Sequence, residues 1–213
     1  MAKNKSLRIG VDFDNTIVNY DGVFHRVARE KNLIPADLPA TKGHVRDYLR
    51  RIDREDEWTL MQGYVYGARM SDVDMFPGAL DFFVRRREWN VPLFIISHKT
   101  RTPYMGPSYD LHAAARQWIE ANGFLDGQKG GLSSDDVFFE LTKNAKFERI
   151  AAQQCTLFLD DLPEFLLDPG FPSGVERILF DPSASAPVDD RLRRVTSWAE
   201  FSRLVQDRMK DCE

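Results

Sequence analysis

Two carboxylates one residue apart, Asp12 and Asp14, sit in the run Arg8-Ile-Gly-Val-Asp-Phe-Asp-Asn-Thr-Ile-Val18. Side chains on a strand repeat every two residues, so a strand running regularly through both would present them on one face. Carboxylates a few Å apart repel each other unless a cation neutralises them or one holds a proton. Asp-Asn-Thr is also good turn chemistry, so a solvated turn after a strand is the simpler alternative. A second acidic pair, Asp160-Asp161, closes the apolar run Thr156-Leu-Phe-Leu159. Ser97 closes another, and Lys143 and Lys146 precede the second pair. Four carboxylates gathered at one point call for a hard cation. A site that keeps room for phosphate oxygens suits Mg2+.

The elements needed to gather these residues are legible. Ile9, Val11 and Phe13 mark a first strand, Val91–Ile96 a second, Val137–Phe139 a third, Thr156–Leu159 a fourth and Arg177–Phe180 a fifth. Helical spacing fills the intervals. Pro77 fits the first turn of one helix, Leu111–Ile119 forms another, and 144–154 a third. Ser197-Trp-Ala-Glu200 reads as a capping box for the last. Strands alternating with helices predict an α/β fold, a Rossmann-like three-layer core with a mainly parallel five-stranded sheet. Ligands of such sheets bind outside the carboxyl ends of the strands, where Asp12, Asp14, Ser97, Asp160 and Asp161 fall.

The alternation breaks once. Gly22–Asn32, a segment capped by Thr41, and Glu57–Met70 are all helical in pattern. The expected organisation is therefore a core of 1–19 and 76–213 with a helical cap inserted at 20–75.

With 213 residues, 43% hydrophobic and 29% charged, the chain has ordinary globular proportions and can build one good core with a small insert. A net charge of −4 leaves no footprint for nucleic acid or an anionic membrane. Two cysteines, Cys155 and Cys212, give neither a disulfide framework nor a metal-cysteine spacing, so a reducing cytoplasm is expected. No run reaches membrane-spanning length, and Met-Ala-Lys-Asn-Lys is not followed by a leader-like apolar segment.

Together Asp12-Phe-Asp-Asn-Thr16, Ser97 in Ile-Ile-Ser-His, Lys146 or Lys143, and Asp160-Asp161 resemble the haloacid dehalogenase superfamily, in its phosphatase branch. The resemblance spans most of the chain, and the insert is similar to the helical cap that the superfamily places after its first motif. It implies an Mg2+-dependent hydrolase of phosphoric monoesters. Asp12 would be the nucleophile and form an aspartyl phosphate; Asp14 would be the acid and base. Ser97 and the lysine would hold phosphoryl oxygens, and Thr16 would line the substrate site. Asp12, Asp14 through its main-chain carbonyl, and one or both of Asp160 and Asp161 would bind Mg2+. Dehalogenase members lack an acid at the second position, so Asp14 points to phosphoryl chemistry. A phosphotransferase using the same intermediate, or a binding module on the same fold, are the alternatives.

Lys146 is the favoured lysine, with Lys143 three residues earlier as its rival. His98, Lys99 and Arg101, following Ser97, are candidates for meeting a substrate anion. The expected partner is a small phosphorylated metabolite, with no nucleic acid and no membrane. Nothing in the insert spells sugar, nucleotide or amino acid.

Overall fold

The computed structural model describes residues 6–211; Cys212, Glu213 and the first five residues lie outside that range. The described chain forms two compact units. One takes the residues up to Ile17, Phe76–His98 and those from Gly123 onward; the other takes Val18–Met75 and Lys99–Asn122.

The first unit is built on strands β1 (Ile9–Val11), β4 (Leu93–His98), β5 (Val137–Glu140), β6 (Leu157–Asp160), β7 (Glu176–Phe180) and β8 (Arg193–Val195). They pair in the order β5-β4-β1-β6-β7-β8, every pair parallel. The expected parallel α/β sheet is present, with six strands instead of five. The additional strand, β8, is three residues long and begins Arg-Arg, so only buried Val195 carries an apolar signal. Helices α4 (Ala79–Glu88), α6 (Lys143–Ala152), α7 (Pro163–Leu166) and α8 (Trp198–Lys210) complete the unit. Alternation along the strands sorts the core into two layers. Phe94, Ile96, Phe158 and Leu179 pack with Phe147, Ile150, Phe165 and Phe171 of α6, α7 and the loop beyond. Phe180 meets Trp198, which packs tilted or edge-on against Phe82, Phe83 and Phe201 of α4 and α8.

Two local expectations change. Pro77 lies outside α4, whose N-cap is Gly78 at φ 84°, a left-handed conformation that glycine adopts without steric cost. Ser197 accepts from the Glu200 amide, but the Glu200 carboxylate turns back to the Thr196 amide, so only half of the capping box forms.

The second unit holds α1 (Asp21–Glu30), α2 (Lys42–Arg51) and α3 (Glu55–Tyr66). It also holds a two-residue ribbon, β2 (Val18–Asn19) against β3 (Asp74–Met75), and α5 (Leu111–Ala121). Thr41 caps α2 through the His44 amide, as its position before the apolar spacing requires. The sequence boundary assigned 99–122 to the core, whereas its contacts lie with the insert. Trp118 Nε1 donates to the Val73 carbonyl at 2.9 Å. The Tyr109 ring lies so close to Gly67 that a Cβ there would fall 2.4 Å from it. Among the described residues no helix is long and apolar enough to cross a membrane.

Candidate active site

β1 is the central strand of the first unit, flanked by β4 and β6, and the chain leaves it towards opposite edges. That is a topological switch point, where the carboxyl ends of the strands splay to leave a crevice. Asp12 follows β1 directly, its amide donating to the Leu159 carbonyl of β6. The strand does not run on to Asp14. The backbone turns instead, with the Ile17 amide bonded to the Phe13 carbonyl and Asn15 left-handed at φ 55°. Asp12 and Asp14 therefore both lie beyond the end of β1, Asp12 buried and Asp14 half-buried. The turn is anchored from α8, where Trp198 Nε1 donates to the Thr16 carbonyl at 3.0 Å.

Asp160 ends β6 and is fully buried. Lys146 joins it to Asp12. The Thr142 hydroxyl caps α6 by accepting from the Ala145 amide, which starts the helix at Lys143 and turns Lys146 inward beside Phe147 and Ile150. Lys146 Nζ donates to Asp12 Oδ1 and to Asp160 Oδ2, each at 2.6 Å. Phe165 and Phe158 lie beneath the ammonium, their centroids 4.1 and 5.3 Å away. This aromatic platform was not apparent from sequence. Lys143 is exposed and pairs with Asp168, so of the two candidate lysines only Lys146 meets the carboxylates among the described contacts.

Asp160 Oδ1 also accepts from the Leu162 amide. Burial pushes the Asp12 carboxyl up to about 7; Lys146 opposes the rise, while Asp160 and Asp14 add to it. Burial disfavours the Lys146 ammonium, but Asp12 and Asp160 outweigh it and hold the lysine protonated. Two buried carboxyl groups thus share one ammonium.

The remaining candidates fall as follows. Ser97 is buried near the end of β4, in register with Phe139 of β5. Thr16 is buried, and its Oγ1 has no hydrogen-bond partner among the described residues. Asp161 is half-buried directly after Asp160. His98 is exposed, its Nε2 3.2 Å from the Leu141 carbonyl. Lys99 and Arg101 belong to the second unit; Lys99 is buried, while exposed Arg101 pairs with Asp110. Cys155 is buried under the sheet, and burial pushes its thiol up to about 12, far from a nucleophile's range.

Among the described residues no three His, Cys, Asp or Glu side chains form a ready-made metal cage. For Mg2+ that is no obstacle, since this ion uses one or two carboxylates with water and substrate phosphate completing its shell. The donors here are hard carboxylate and carbonyl oxygens, and they fit it.

No family model and no curated protein matches the chain. Solved structures do. One described as a dehalogenase is similar over 94% of this chain and 97% of its own, at 12% identity and TM-score 0.58. YfnB from Bacillus subtilis, bound to magnesium, matches at 16% identity over 94% and 99%, with TM-score 0.57. A HAD family hydrolase from Deinococcus radiodurans, with bound phosphate and sodium, matches at 15% identity over 96% of both chains, with TM-score 0.54. At such identities the likeness speaks for architecture, and the chain has the fold of the haloacid dehalogenase (HAD) superfamily hydrolases.

Proposed function

We propose that the protein is an Mg2+-dependent phosphatase of small phosphomonoesters. The observation that carries this reading is the buried Asp12–Lys146–Asp160 bridge at the switch point of the sheet. A carboxylate kept beside a fixed ammonium is positioned as a nucleophile towards an anionic centre, and the same ammonium offsets charge on the transferring phosphoryl group.

In the first half-reaction an Asp12 carboxylate oxygen attacks phosphorus. The phosphorus–alkoxide bond breaks, and the leaving oxygen takes a proton from Asp14. In the second, Asp14 takes a proton from water, whose oxygen attacks phosphorus and releases phosphate, restoring Asp12. Ser97 and Lys146 hold phosphoryl oxygens, with the Thr16 hydroxyl lining the same site. Asp12, the Asp14 carbonyl and Asp161 would hold Mg2+, which when bound neutralises the phosphoryl oxygens and orients them. Asp160, already engaged by Lys146 and the Leu162 amide, serves to fix the lysine. The magnesium and phosphate of the two bacterial neighbours belong to those proteins and lend the reading support by analogy. An acid at position 14 favours phosphoryl transfer over carbon–halogen cleavage.

The test is phosphate release from a panel of esters with Mg2+. Turnover is expected to vanish with EDTA and in Asp12→Asn; release that survives both overturns the reading.

A further inference from the structure

A lysine ammonium has three donors, and Lys146 gives two of them to carboxylates, Asp12 Oδ1 and Asp160 Oδ2, each at 2.6 Å. No oxygen takes the third among the described contacts. The other described neighbours of Nζ are rings: Phe165, with its centroid 4.1 Å away, and Phe158, at 5.3 Å. An ammonium withdrawn from water is attracted to the negative face of an aromatic ring, and most strongly where both are desolvated. Lys146 and Phe165 are both buried.

The ring comes from the same short segment that supplies one of the carboxylates. Asp160 ends β6, the Leu162 amide returns to Asp160 Oδ1, and Pro163 opens α7, which carries Phe165. The Phe165 amide in turn donates to the Leu162 carbonyl. Phe147 stacks on the ring with centroids 4.8 Å apart, and Phe171 meets it edge-on at 5.9 Å. Its plane is thus set by neighbours from α6 and from the loop beyond α7. Leucine would fill the same space with apolar volume. It would not offer a face.

We infer that Phe165 is a positioning residue whose ring face holds the Lys146 ammonium between Asp12 and Asp160. Held from two sides, Nζ is free to drift towards either carboxylate; a third contact keeps the two bonds equal. Phe165 acts only through the lysine. The inference deepens the phosphatase reading and rests on it for the kinetic consequence, while the contact between ring and ammonium stands on geometry alone.

The test replaces Phe165 in the full chain by mono-, di- and trifluorophenylalanine, which keep the shape of the ring and drain its face of electron density step by step. With the best ester of the panel, kcat is expected to fall in that order, by about tenfold at the trifluoro ring, with KM within about threefold. Phe165→Leu should fall at least as far. The same series at Phe201, a buried ring with no cation over it among the described contacts, should stay within about twofold. The urea midpoint reads the contact without any activity. It should fall through the Phe165 series in the wild type, and the steps should disappear in Lys146→Met, as a double-mutant cycle requires. If Lys146→Met does not fold, the comparison of the Phe165 and Phe201 midpoints carries the measurement. A flat kcat across the Phe165 series overturns the inference. So do midpoints that fall no further than those at Phe201, or equally far in Lys146→Met. If no ester is hydrolysed at all, the phosphatase reading fails, and the urea midpoints still decide whether the ring holds the lysine.

Discussion

Lys146 and Lys143 are one helical turn apart, and the structure gives them opposite surroundings. Lys146→Ala removes the only cation contacting Asp12 and Asp160 among the described residues. Its turnover is expected to drop by about 10²–10³-fold or more, the range for losing a preorganised charge at a reaction centre. Stripping a buried ion cluster of its partner also costs about 3–5 kcal/mol, readable as a lowered urea midpoint. Lys143→Ala should stay within about twofold in kcat/KM, because an exposed pair with Asp168 contributes little. Equal loss in both variants would contradict the assignment. Asp181 makes a second case at this scale. It accepts from the Ser185 and Ala186 amides and the Ser183 hydroxyl, and tethers the loop leaving β7. Burial alone would raise its carboxyl, but the Ala186 and Ser185 amides outweigh that and hold it below its ordinary 3.8. A depressed carboxylate stabilises the fold above the ordinary value, and the contribution disappears as pH falls through the lower folded value. Asp181→Ala should therefore cost about 1–3 kcal/mol at neutral pH, with the gap to wild type closing below pH 3.8 in thermal melts.

Elements rather than side chains decide why some of this was legible in advance. Runs such as Leu-Phe-Ile-Ile and Leu-Phe-Leu-Asp announce buried parallel strands, and their terminal polar residues fall where the sheet requires them. The Asp12–Asp14 turn was legible in its residues but not its shape. A two-residue period predicts a shared face, but β1 ends at Val11, before either aspartate, and a turn with left-handed Asn15 follows. β8 and the β2–β3 ribbon carry too few apolar residues to register as patterns. The allegiance of 99–122 shows in contacts such as the Trp118 indole on Val73 and the Tyr109 ring against Gly67, which no local period encodes. Gly10, in the middle of β1, is a similar case. A Cβ there would lie 2.5 Å from Phe158 Cδ2 and 3.0 Å from Cys155 Sγ. Gly10→Ala should destabilise by about 1–3 kcal/mol through overpacking, seen in chemical denaturation. A neutral result would mean that the Phe158 ring can swing aside at no cost.

For the molecule as a whole, the position of β1 in the sheet has a consequence in time. Ile9 pairs with Leu93 on one side and with Leu157 on the other, so the central strand is synthesised well before either neighbour. At about 5–20 residues per second, on the order of ten seconds or more separate β1 from β6 on the ribosome. Until β4 is made an apolar strand has both edges unpaired, and until β6 is made it still has one, a state open to misassembly and to chaperones. The turn that carries Asp12 waits longer still, since its anchor from Trp198 is made near the end. Nascent chains stalled before β6 emerges should be cut by protease around residues 9–18, and those stalled after α8 has cleared the tunnel should resist. Early resistance would mean that β1 and β4 form a stable pair without β6. Birth order, on this view, leaves Asp12, the proposed nucleophile, without its surroundings until β6 and α8 have been made.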